Sequence, residues 1–200
     1  MLMKFQELLS ILAVHFDLPM LDWIQETLGC RLLDVTMPLI TILGDAGIFW
    51  IACSVILMLI PGQRKAGFSM GVALAIGLVV CNLILKPMVE RIRPYDYQLQ
   101  YFGREIALLI EAQHDFSFPS GHTIASFEAC VALTLHNKKL GIPACILAVL
   151  IAFSRLYLYV HYPTDVFASI ILGFIIAWVA TWIVHGAANA MPTKKGKFAK

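Results

Sequence analysis

Twenty consecutive residues without a charge, AGFSMGVALAIGLVVCNLIL at 66–85, constrain this chain more than any other feature. An α-helix crosses the hydrocarbon core of a bilayer in about 20 residues, and a backbone in that medium must satisfy its own N–H and C=O groups. A second run, residues 166–184, is also uncharged, and residues 141–160 carry only Arg155. Residues 119–135 hold just His122 and Glu128, and 46–60 are apolar but short. With 60% hydrophobic and 14% charged residues, the chain lacks the polar surface that a soluble domain needs. We therefore expect an all-α, polytopic membrane helix bundle with helices at about 46–61, 66–90, 120–136, 141–159 and 164–185. A brief apolar stretch at 32–44, interrupted by Pro38, brings the number to about six transmembrane helices.

Residues 1–30 read as an interfacial amphipathic segment, with Glu7, Asp17, Asp22 and Glu26 among apolar positions and a break near Pro19. The membrane domain then covers 31–188, and 189–200 form a basic cytoplasmic tail. No cleavable signal peptide is expected from the first residues. The loops set the orientation. Gln63-Arg64-Lys65, Asn137-Lys138-Lys139 and the tail with Lys194, Lys195, Lys197 and Lys200 alternate onto one side, with eight basic residues and no acidic one. By the positive-inside rule that side is cytoplasmic. Residues 86–119 and 155–165 then face outside. The five cysteines are scattered singly and read as small apolar helix residues, so no metal and no cofactor is expected.

Three outward segments carry the chemistry. KPMVERIRP (86–94) brings Lys86, Arg91 and Arg93 ahead of a helix-stopping Pro94; alone, these could be cations snorkelling to the interface. PSGH (119–122) opens the next helix, where free N–H groups of the first turn suit an anion, although a plain cap would read the same way. SRLYLYVHYPTD (154–165) sets Arg155 inside an apolar run, where an unpaired cation is costly. His161 stands four residues before Asp165, close enough for the carboxylate to hold its ring N–H. Lys86, Arg93 and Arg155, with the Ser120 hydroxyl and Gly121 amide, make a cage for a tetrahedral anion such as phosphate. His161 can then act as nucleophile and His122 as general acid, without a metal.

K-x6-RP, PSGH and SR-x5-H-x3-D, in this order and spacing, resemble the signature motifs of the type 2 phosphatidic acid phosphatase superfamily. The resemblance covers residues 86–165 and implies a membrane lipid phosphatase that works through a phosphohistidine on His161, oriented by Asp165. It implies proton delivery by His122 and phosphoryl binding by Lys86, Arg93, Ser120, Gly121 and Arg155. The expected partners are a lipid phosphate or diphosphate and the surrounding membrane lipids, with no nucleic acid. On analogy and orientation, the leading substrate is undecaprenyl diphosphate in a bacterial plasma membrane. Phosphatidylglycerol phosphate, phosphatidic acid, transfer to a lipid acceptor and a non-enzymatic carrier stay open.

Several residues fall outside the motifs. Glu128 reads either as a partner for a cation or as a hydrogen-bonded helix contact. His114, Asp115 and Asp45 read either as substrate contacts or as loop and cap residues. His15, His136 and His185 have no expected catalytic role. REIALLIEAQ (104–113) has Ile106, Leu109 and Ile110 on one side of an expected short helix, a candidate ramp beside the site.

Overall fold

One helix rich in small residues is walled in by its neighbours, and this arrangement organises the molecule. The computed structural model describes residues 2–190, and none of these forms a strand. Its helices are α1 (Leu2–Leu12), α2 (Leu18–Leu28), α3 (Arg31–Ile42), α4 (Ile48–Leu59), α5 (Arg64–Leu78), α6 (Lys86–Val89), α7 (Pro94–Phe102), α8 (Gly121–His136), α9 (Lys138–Tyr157) and α10 (Pro163–Ala190). Every residue of α8 from Thr123 to Leu133 except Ala125 is buried. Its small residues, Ala125, Ser126, Ala129, Cys130 and Ala132, let α5, α9 and α10 approach closely, which is how helices pack where lipid supplies no hydrophobic drive. At Gly173 of α10 an added Cβ would lie 2.8 Å from the Phe127 Cβ, so this crossing needs glycine. The Trp50 indole donates to Ser126 Oγ at 3.0 Å and ties α4 to the same centre.

The large apolar side chains on the outside are those a bundle turns to lipid: Val55, Leu78, Ile146, Phe174, Trp178 and Trp182 are all exposed. Among the described residues, three helical stretches are long and apolar enough to cross a membrane: Arg64–Phe102, Lys138–Tyr157 and Pro163–Ala187. Arg31–Ile42 and Asp45–Leu59 meet at 41° and together make a fourth. The stretch at 32–44 is therefore the first limb of a bent pair rather than a crossing of its own. Twelve residues of helix rise only about 18 Å, too little for a bilayer.

Three other expectations change. The helix does not break at Pro19. A wide π-type turn over Ala13–Asp17 comes just before it, giving the proline ring room where an ordinary turn would clash. Leu9, Ala13, Asp17, Leu21 and Ile24 form the buried face of this segment, while Leu8, Ile11 and Trp23 stay exposed. Pro94 starts α7 instead of stopping a helix, because its fixed φ and missing N–H suit a first turn. α7 ends at Gly103 (φ 64), and residues 104–113 are irregular rather than helical. Ile106, Leu108 and Ile110 cover the apolar cluster around Tyr157–Tyr162, while Leu109 is exposed. The basic tail lies, from residue 191, outside the described residues.

Candidate active site

The three motif segments converge at one end of the bundle. The chain leaves α6 through Glu90, whose φ of 51° turns the backbone, and runs non-helical through Arg91 to Arg93. Arg93 Nη1 lies 3.2 Å from His161 Nε2 and donates to the Val160 carbonyl at 2.7 Å. Arg93 Nε donates to the Asp115 carbonyl at 2.9 Å, and the Asp115 carboxylate is shared by Lys86 and Arg93. Burial alone would raise the Asp115 carboxyl, but the two cations outweigh it and hold it well below the usual carboxylate range. A carboxylate thus sits between two of the cations expected to bind phosphate.

His161 is buried in the short connection between α9 and α10. Burial first, then the charges of Arg93, Arg155, Lys86 and His122, push its imidazole well below the ordinary 6.5. Such an imidazole is neutral and keeps a lone pair for attack.

Arg155, in the last turn of α9, is 1% exposed. Its Nη1 donates to Thr41 Oγ1 at 2.6 Å, yet its Nε and Nη2 have no partner among the described residues. Buried polar groups are nearly always satisfied, a guanidinium above all, so these two donors are available to an anion.

The Asp165 contact differs from the expected one. Asp165 Oδ2 is 3.6 Å from His161 Nδ1, beyond hydrogen-bond length. The carboxylate is already engaged by Arg91, by the Ser117 hydroxyl at 2.5 Å and by the Tyr162 amide at 3.1 Å. Ser117 Oγ stands 3.5 Å from the same Nδ1, beside the pair. Arg91, which reads in sequence as an interfacial cation, is buried, lies 3.7 Å above the Tyr162 ring and also pairs with Asp17 at 2.7 Å. Asp17 in turn accepts from the Thr164 amide and hydroxyl at 2.9 and 2.7 Å. An acidic residue of the N-terminal helix is therefore two bonds from the carboxylate behind His161.

The histidine with a carboxylate at bonding distance is His122, whose Nε2 is 2.7 Å from Asp45 Oδ1. Asp45 lies in the turn between α3 and α4, where Ala46 (φ 48) and Gly47 (φ 66) are both left-handed. A Cβ on neighbouring Gly44 would come within 2.6 Å of His122 Cδ2. Ser120 caps α8: its Oγ accepts from Thr123 N at 3.5 Å and Thr123 Oγ1 at 3.0 Å, and its amide donates to Ser169. Gly121 starts α8 and lines a cavity of about 570 Å³ with Lys86, Asp115 and His122. The cavity continues between α4 and α5 along Ile51, Val55 and Leu74 to Glu128. His136 lies at the far end of α8, bonded to Ser69 and stacked on His185, remote from the cup. Among the described residues there is no cluster of side chains able to hold a metal.

A family model described as the PAP2 superfamily matches residues 66–188. The chain is 31% identical over 135 residues to an undecaprenyl-diphosphatase of Sulfolobus acidocaldarius, covering 67% of this chain and 63% of that protein. It is 32% identical over 154 residues to phosphatidylglycerophosphatase B of Bacillus subtilis, covering 70% and 63%. The chain thus spans somewhat under two thirds of the length of these curated relatives. A crystal structure of a transmembrane PAP2 type phosphatidylglycerolphosphate phosphatase from Bacillus subtilis matches 97% of both chains with a TM-score of 0.67 at 24% identity, a likeness of fold. A helical bundle that crosses the membrane, three motifs in order and a family model over more than half of the sequence lead to one assignment: this integral membrane protein belongs to the PAP2 superfamily.

Proposed function

We propose that the protein is a metal-independent lipid phosphatase that hydrolyses the phosphate or diphosphate monoester of a membrane lipid, with undecaprenyl diphosphate as its leading substrate. The single observation that carries the reading is Arg155: a buried guanidinium with two unpartnered nitrogens beside a neutral histidine. A phosphoryl group supplies the acceptors that Arg155 lacks and displaces Asp115 from Lys86 and Arg93. The His161 Nε2 lone pair attacks phosphorus. As the N–P bond forms, the P–O bond to the leaving group breaks, and that oxygen takes a proton from His122, held by Asp45. A water then gives its proton to His122 and attacks phosphorus, the N–P bond breaks, and inorganic phosphate leaves. Lys86, Arg93, Arg155, Ser120 and the Gly121 amide stabilise the charge on the transferring group. Asp165, with Ser117 and Arg91, fixes the ring of His161.

The apolar cavity beside the cup supports a substrate with a hydrocarbon tail. The distribution of basic loop residues supports a site that faces outside, a cytoplasmic C-terminus and an N-terminal helix at the interface of a plasma membrane. The test is phosphate release by purified protein, with chelator present, from a panel of lipid phosphates, comparing wild type with His161→Ala. Acid-labile label retained on wild-type protein and absent from the variant is the expected result. Undiminished release by His161→Ala refutes the proposal.

A further inference from the structure

Asn82 is the sole amide side chain in the uncharged run 66–85. A polar residue in a membrane helix ordinarily bonds a neighbouring helix, yet Asn82 stays exposed. It stands in a π-helical segment, Val79–Leu85, about one turn before Lys86. Such wide turns inside helices are frequent at functional sites. A Cβ on Gly121 would lie 3.9 Å from Asn82 Oδ1, so the amide end reaches the first residue of α8. Glu128, deeper in α8, differs: its Oε2 is closed off and bonds no described residue, so neither the cation partner nor the helix contact read from the sequence occurs.

The place of the amide along the cavity decides what it meets. Leu74, Leu78, Asn82 and Lys86, successive residues at one-turn spacing, all line the cavity and form a row from the apolar groove to the cup. Asn82 is the step at which hydrocarbon surface gives way to the cations and to Gly121 and His122. In the proposed reaction this junction receives the leaving group. An alcohol leaving group needs only the proton from His122. A lipid phosphate brings further anionic oxygens to the junction, beyond the three cations that grip the transferring phosphoryl, and burying those oxygens without donors is costly. A side-chain amide carries N–H donors without a charge, and rotation about its last bond turns them to the ligand.

We infer that Asn82 is a specificity-determining residue, its amide donating to the lipid-side phosphate of a diphosphate substrate. The inference rests on the lipid-phosphatase reading and deepens it. The cup takes the terminal phosphoryl group of any lipid ester, and Asn82 sets the preference for a second phosphate behind it. Being neutral, the amide also releases the departing lipid phosphate more readily than a cation would.

The test uses full-length protein in mixed micelles with orthovanadate, farnesyl diphosphate, its non-hydrolysable methylenebisphosphonate analogue and farnesyl phosphate. Asn82→Leu keeps the size of the side chain and removes the donor. Its Kd for the bisphosphonate should rise about 10–100-fold, the worth of one hydrogen bond to a charged group. Its Kd for vanadate, which fills the cup alone, should stay within about threefold of wild type. The ratio of kcat/KM for farnesyl diphosphate over farnesyl phosphate should fall by the same factor as bisphosphonate affinity. Asn82→Gln, which keeps the donor, should return both to within about fivefold of wild type. An Asn82→Leu protein that binds the bisphosphonate within about threefold of wild type overturns the inference. So does one whose vanadate and bisphosphonate affinities weaken together, the mark of a structural role. Wild-type protein that releases phosphate from neither farnesyl ester overturns the phosphatase reading itself, a separate outcome.

Discussion

Replacing Arg155 with Met should move activity and stability in opposite directions. The guanidinium has one contact in the resting molecule, to Thr41 Oγ1, and two nitrogens with none. If both bind phosphoryl oxygens in the transition state, each charge-assisted bond contributes about 1.5–3 kcal/mol. Their loss then costs about 3–6 kcal/mol, or about 10²–10⁴-fold in kcat/KM. The folded state loses little, since the Thr41 bond contributes about 1 kcal/mol. It gains by no longer holding an under-satisfied cation that is 1% exposed, a burden of several kcal/mol that a packed thioether lacks. Phosphate release, vanadate affinity and thermal unfolding in detergent should be measured on the same preparation. We expect activity and vanadate binding to collapse while the unfolding midpoint holds or rises. Vanadate affinity within about threefold of wild type, or an unfolding midpoint that falls along with activity, would refute the reasoning.

Other substitutions test the neighbouring contacts. Asp115→Asn removes a carboxylate that competes for Lys86 and Arg93; with its side chain 54% exposed, the gain for an incoming anion is about 0.5–1 kcal/mol, read as a vanadate inhibition constant about two- to fivefold lower. His161→Gln should reduce phosphate release by more than about 10³-fold. It should also flatten the pH dependence of stability. The folded-state pKa of His161 is depressed, so wild type is most stable above 6.5 and loses stability as pH falls from there toward the folded-state value, whereas the variant has no such loss from this site. Asp17→Asn breaks a fully buried pair but keeps one oxygen for Thr164, so unfolding should become easier by about 2–3 kcal/mol. Its kcat should fall more than its KM rises, because Arg91 loses the partner that fixes it against Asp165. Gly44→Ala forces a methyl to 2.6 Å from His122 Cδ2 and should cost about 1–3 kcal/mol of stability, with a fall in kcat as the ring leaves Asp45.

The sequence is most informative where chemistry forbids alternatives. An uncharged run like 66–85 has few environments open to it, and it lies in a helical stretch fit to cross the membrane. Lys86, Arg93, Arg155, His122 and His161 gather at one end of the bundle because each lies at or beside a helix end on that side. Contacts made by residues outside the motifs are harder to read. Asp17 and Asp165 are separated by most of the chain, and nothing local says that Arg91 joins them. Asp45 resembles a cap until the left-handed turn at Ala46–Gly47 aims it at His122. Ser117 stands just before the PSGH motif and gives no sign of bonding Asp165 beside His161. Residues 104–113 do cover a buried cluster, but through Ile106, Leu108 and Ile110 of an irregular backbone, whereas Leu109, which the helical spacing puts on the covered side, is exposed.

The turn at Gly44–Gly47 has a mechanical consequence. α4, one wall of the apolar cavity, begins three residues after Asp45, the residue bonded to His122. Under the proposed reading, a tail lodged between α4 and α5 bears on the same short segment that orients this histidine, and a tailless phosphate ester does not.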